Sequence, residues 1–166
     1  MIRPVVARRR TWVILAVLAQ VVIALVAVAP QLSARLTGTE YRLRVEPFDP
    51  IDPFRGAYVQ LAYPDLPTSS SSGETPEDGA RLVFISLATS GGVTSGLRID
   101  GPAPAEGPYL RCRDDGWRLR CGIESYFLPQ ADASAVGTAV REGSAVATVR
   151  VDSRGNAALI SIDVPD

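Results

Sequence analysis

Three carboxylates sit where such groups can do chemistry: Asp49 and Asp52 are interleaved with Pro50 and Pro53, and Glu124 interrupts an apolar run at residues 123–128. Two carboxyl groups roughly 5–10 Å apart in one cleft are enough to cleave a glycosidic bond, a reaction that needs no histidine. The same oxygen donors at Asp49 and Asp52 suit a hard cation such as calcium. The plainer alternative makes Asp49 and Asp52 turn residues beside prolines, and Glu124 the partner of an arginine. Arg55 is the expected partner, because a charge inside an apolar strand requires one.

What the chain lacks narrows the chemistry further. It contains no histidine, and every one of its 17 basic residues is arginine. A Ser-His-Asp triad needs an imidazole, a Ser-Lys dyad needs an amine that can lose its proton, and a guanidinium stays protonated near neutral pH. Both mechanisms are excluded within this chain. Cys112 and Cys121 are the two cysteines, too few for a zinc site without histidine. No metal and no cofactor is implied, and the balance of residue types favours a protein without catalysis. A net charge of -1 provides no field to draw in nucleic acid, which is not an expected partner.

These residues must be positioned by elements that fall into two unequal parts. Residues 11–29, TWVILAVLAQVVIALVAVA, carry no charge and one strongly polar side chain, Gln20. As a helix they span about 28 Å, matching a hydrocarbon core of about 30 Å, with all backbone groups satisfied internally. Arg3, Arg8, Arg9 and Arg10 precede the run and every acidic residue follows it. The positive-inside rule then makes residues 1–10 a cytoplasmic basic tail, residues 11–29 a single-pass transmembrane helix in the cell membrane, and the remainder extracytoplasmic. The lipid bilayer is thus the first expected partner. A cleaved secretory signal is the competing reading, opposed by Pro30 directly after Ala27-Val28-Ala29 and by the length of the apolar run. Gln20 is either a tolerated single amide or a contact to a neighbouring helix.

Residues 30–39 read as a juxtamembrane linker, and residues 40–166 as one exported domain. Residues 40–46 alternate Tyr41, Leu43 and Val45 against Arg42 and Arg44, the period of a half-buried strand. The prolines at 50 and 53 stop it, and a second alternating run covers residues 57–63. Residues 64–80, rich in Ser, Pro, Gly and acids, predict a flexible loop. Further strands are predicted at 81–88, 93–99, 109–113, 117–127, 145–151 and 157–164, with one helix at 134–142 stopped by Gly143. The fold class that follows is a mainly β domain, an antiparallel barrel or sandwich with one short α-helix, behind an N-terminal transmembrane helix.

An exported compartment permits disulfides, and Cys112 and Cys121 flank a turn. They meet if the turn is Gly116-Trp117 or a four-residue loop at 115–118, either of which sets them directly opposite; a two-residue Asp115-Gly116 turn would not. The alternative is two unpaired small hydrophobes.

Arg55-Gly56-Ala57-Tyr58-Val59-Gln60-Leu61-Ala62-Tyr63 after the Asp-Pro turn resembles the signature of the GDYXXLXY protein family of bacterial membrane-anchored proteins. Gly122-Ile123-Glu124-Ser125-Tyr126-Phe127-Leu128-Pro129 resembles a second stretch of that family. Ala57 stands where the signature has aspartate, so any role of that carboxylate is lost here. The family carries no established activity and its members tend to be encoded beside polytopic membrane proteins. The resemblance therefore implies a polytopic membrane partner rather than a reaction. On physical grounds Gly56 lets the chain leave the proline turn, and Tyr58, Leu61 and Tyr63 pack on the strand's two faces. The functional alternative gathers Arg55, Tyr58, Glu124 and Tyr126 in a polar groove. The expected role is an accessory domain that binds or supports a membrane-protein partner; an envelope hydrolase and a cation or small-ligand sensor are the alternatives.

Overall fold

A computed structural model of the chain describes residues 3–47, 58–69, 80–127 and 130–164. Helix α1, Arg3–Thr37, is one unbroken run of 35 residues with Pro30 in its interior. Its most apolar 18-residue stretch has a mean hydropathy of 2.8, and its large apolar side chains from Trp12 to Leu36 lie exposed. Among the described residues it is the one helix long and apolar enough to cross a membrane.

The linker expected at residues 30–39 is corrected by this helix, which reaches Thr37 and leaves Gly38 alone before strand β1, Thr39–Arg44. Proline removes one helical hydrogen bond and normally ends the helix. Here contacts to the β domain hold the last turns: Ala34 is fully buried against it, the Ser33 hydroxyl donates to Asp152 at 2.6 Å, and the Gly38 amide closes the final helical turn on the Ala34 carbonyl at 3.0 Å. Any Cβ at position 38 would stand 2.3 Å from that carbonyl oxygen and 2.9 Å from the Val151 amide nitrogen. Helix and strand can join this closely only through glycine.

The rest is mainly β. Strand β2 is Glu46–Pro47, β3 is Tyr58–Ala62, β4 is Arg81–Ser90, β5 is Val93–Ile99, β6 is Tyr109–Asp114, β7 is Leu119–Arg120 and β8 is Ser125–Phe127. Helix α2, Gln130–Arg141, starts four residues earlier than its pattern predicts, and strands β9, Val146–Val151, and β10, Ala157–Asp163, close the chain. Three antiparallel sheets result, in the orders β1-β9-β10, β2-β3-β8 and β5-β4-β6-β7, curled as a half-barrel around one core. Leu43, Leu61, Val83, Ile85, Leu110, Ile123 and Val149 fill it. The alternation read at residues 40–46 is real, since Leu43 and Val45 are each 1% exposed.

The expected single strand at 117–127 is instead two short strands in different sheets. Gly122, at φ +85°, turns the chain between them, a backbone conformation that a continuing strand cannot hold. Trp117 stays outside, 62% exposed. The flexible loop at 64–80 also needs correction in its first part. Leu66 is buried, the Gly96 amide donates to the Asp65 carbonyl, and Ser69 donates to Asp114, so residues 64–69 are packed down. One leucine among polar neighbours provides the anchor that an averaged composition conceals. Residues 70–79 lie outside the described residues.

Cys112 and Cys121 are disulfide-bonded, with Cα atoms 4.2 Å apart. Pairing of Arg113 with Arg120 and of Asp114 with Leu119 leaves a four-residue loop at 115–118, one of the two turns that set the cysteines opposite each other.

Candidate functional site

The two stretches that carry the family resemblance are far apart in sequence and are hydrogen-bonded neighbours in the fold. Strand β3 pairs antiparallel with β8, aligning Tyr58 with Phe127, Val59 with Tyr126 and Gln60 with Ser125. The ladder continues beyond β8, where the Leu61 amide donates to the Glu124 carbonyl at 2.9 Å. Leu61 and Ile123 are each 1% exposed, which makes both core residues. Tyr63 packs partly buried and donates its hydroxyl to the Ile123 carbonyl at 2.6 Å. Burial raises the Tyr63 phenol well above the ordinary tyrosine range, and the Glu124 charge adds to the effect.

Glu124 is not a strand residue. Its carboxylate accepts the backbone amides of Cys121 and Gly122, the latter at 3.1 Å, and so fixes the turn after the disulfide. Arg55, Gly56 and Ala57 lie outside the described residues, as do Asp49 and Asp52, so the expected Arg55–Glu124 pair and the two-aspartate site fall there too. Glu124 lines an open cleft of about 610 Å³ together with Gln31, Arg35, Ser125, Tyr126 and Leu159. Gln31 donates to the Gly122 carbonyl at 3.4 Å, tying α1 to the second motif stretch.

Sequence reasoning missed a second polar centre, where the same helix end is clamped to the β9–β10 turn. The Asp152 carboxylate, 2% exposed, accepts the Ser33 hydroxyl at 2.6 Å, the Asn156 side-chain amide at 2.9 Å, and the Arg154 and Asn156 backbone amides at 2.9 and 3.0 Å. Burial alone would raise this carboxyl's pKa. The donors from Asn156, Ser33 and Arg154 outweigh burial and hold it below the usual value. Arg154 also donates to Ser33 at 2.9 Å, Arg35 to the Leu159 carbonyl at 3.3 Å, and Arg150 to the Arg35 carbonyl at 2.7 Å. The signal for this centre is the Asp152-Ser153-Arg154-Gly155-Asn156 turn itself, because a buried aspartate that satisfies its own turn has oxygens aimed inward. A third such group is Asp114, which accepts Arg98 at 2.7 Å, Ser69, and the Gly116 amide at 3.0 Å. Burial opposes its ionisation, and these donors again prevail and lower its pKa.

An exposed apolar helix fastened by side-chain hydrogen bonds to a disulfide-bonded β domain defines a class of helix-tethered β protein in which the helix is part of the domain's structure. The family model described as GDYXXLXY protein matches residues 20–162, and the chain belongs to that family. No curated protein and no solved structure matches it.

Proposed function

We propose that the protein is a single-pass, membrane-anchored extracytoplasmic accessory domain that binds or supports a polytopic membrane protein and performs no catalysis of its own. The observation that carries this reading is the rigid junction at residues 30–38. A mere tether needs no fixed angle to its cargo. Here Ser33, Arg35 and Gly38 lock the β domain to the apolar helix, so the domain would be presented at one height and one rotation relative to the bilayer. Such a constraint serves a partner with fixed geometry in the same membrane. Gln20, exposed mid-helix, offers an amide to a neighbouring transmembrane helix.

A photo-crosslinking residue at position 20 in the full chain, activated in native membranes, tests this. The expected capture is a polytopic membrane protein. Recovery from the same membranes in mild detergent as a partner-free monomer, with no crosslink, overturns the reading.

A further inference from the structure

We propose that a cleft beside Pro30 binds the phosphate of an anionic phospholipid headgroup. The proposal rests on the membrane-anchor reading and deepens it by assigning a lipid to a named surface. The cleft measures about 490 Å³ and is lined by Pro30, Leu82, Arg111, Arg113, Arg120 and Asn156 among others.

Three features point to an anion. Strand pairing sets Leu82, Arg113 and Arg120 in one cross-strand row, so two arginines stand directly opposite each other and both line the cleft. Like charges directly opposite each other destabilise a sheet, and an anion between them removes the conflict. Asp115 pairs with Arg120 at 2.8 Å, whereas Arg111 and Arg113, both exposed, make no ion pair among the described residues. Guanidinium is also the side chain whose planar fork matches phosphate oxygens two at a time.

Position selects a lipid as the source. Pro30 directly follows the apolar run 11–29, so a cleft beside it opens where hydrocarbon gives way to headgroups. Two exposed residues flank the arginines: Leu82, 43% exposed, and Trp117, whose ring lies 5.8 Å from the Arg120 guanidinium. An amphipathic indole next to basic residues is the usual composition of a membrane interface.

The test uses the full chain in nanodiscs made of phosphatidylcholine alone or with an equal share of phosphatidylglycerol, followed by mild extraction and native mass spectrometry of retained lipid. Phosphatidylglycerol should be enriched roughly tenfold over phosphatidylcholine, the scale expected of charge-assisted hydrogen bonds. R113Q/R120Q should bring the ratio to parity while keeping the disulfide and the wild-type melting temperature; R113K/R120K, which keeps charge and loses the fork, should fall between. Parity in the wild type overturns the proposal. Displacement of the lipid by millimolar inorganic phosphate also overturns it, because the cleft would then read a soluble phosphate. Failure to enter phosphatidylcholine nanodiscs overturns the anchor reading and the headgroup site together, whereas entry without selectivity overturns the headgroup site alone.

Discussion

Asp152 shows how one side chain can join two parts of a protein. Its two oxygens satisfy donors from the helix, from a turn backbone and from an asparagine, with almost no access to water. Asp152→Ala leaves these donors facing a void, and the β domain should lose roughly 3 kcal/mol of stability, read from denaturant midpoints. The acid response follows from the same bonds. Asp114 and Asp152 have folded-state pKa values below the usual one, so each contributes stability that is fully present above the unfolded value of about 3.9. That contribution disappears as pH falls from there through the lower folded-state values. Thermal unfolding followed by circular dichroism should therefore be steady near neutral pH and drop steeply below about pH 4. In Asp114→Asn/Asp152→Asn the baseline should be lower and the acid drop shallower. An equally steep drop in that variant would assign the acid sensitivity to other carboxylates.

At the scale of elements, the hairpin β6–β7 depends on its cross-link, because β7 is two residues long and pairs through two positions. Closing a loop of this size restricts the unfolded chain by about 3 kcal/mol. Cys112→Ala/Cys121→Ala should cost that amount plus the packing of Cys112, which is 1% exposed, and reductant should destabilise the wild type but leave the variant unchanged. A wild type indifferent to reductant would place the cysteines in the thiol form. Much of this hairpin was legible beforehand, since period-two patterning and turn length together limit the registers that let the cysteines meet. The same register sets Arg113 opposite Arg120. Two other elements were illegible for physical reasons. Pro30 carries a strong local stop signal that tertiary bonds at Ser33 and Arg35 override. Residues 117–127 look like one strand because the alternation of Trp117, Leu119, Cys121 and Ile123 runs on past Gly122, and the positive φ at Gly122 is invisible until the two halves join different sheets. The pairing of β3 with β8 is likewise a long-range event. The motifs announced both stretches, and nothing local announced their contact.

On the scale of the whole molecule, the proposed anchor raises the question of which side of a membrane the β domain would occupy. A 35-residue helix is about 52 Å long, and the uncharged run accounts for about 28 Å of it. The eight residues from position 30 to 37 add about 12 Å beyond the run, yet the β6–β7 edge reaches back to Pro30. The domain therefore stands beside the helix end rather than above it, close to the surface the helix would leave. Arginines at 3 and 8–10 should hold the opposite end in the cytoplasm. Two single-cysteine probes in the full chain separate the alternatives, because the native cysteines are already bonded to each other. Ser90→Cys, exposed at the β4–β5 hairpin, should react with a membrane-impermeant maleimide on intact cells, and Val5→Cys only after lysis. A lipid-facing arginine cleft and a partner in the envelope both require that order. If Val5→Cys reacted on intact cells and Ser90→Cys did not, the disulfide would face a reducing cytosol and the domain would stand on the wrong side for either role.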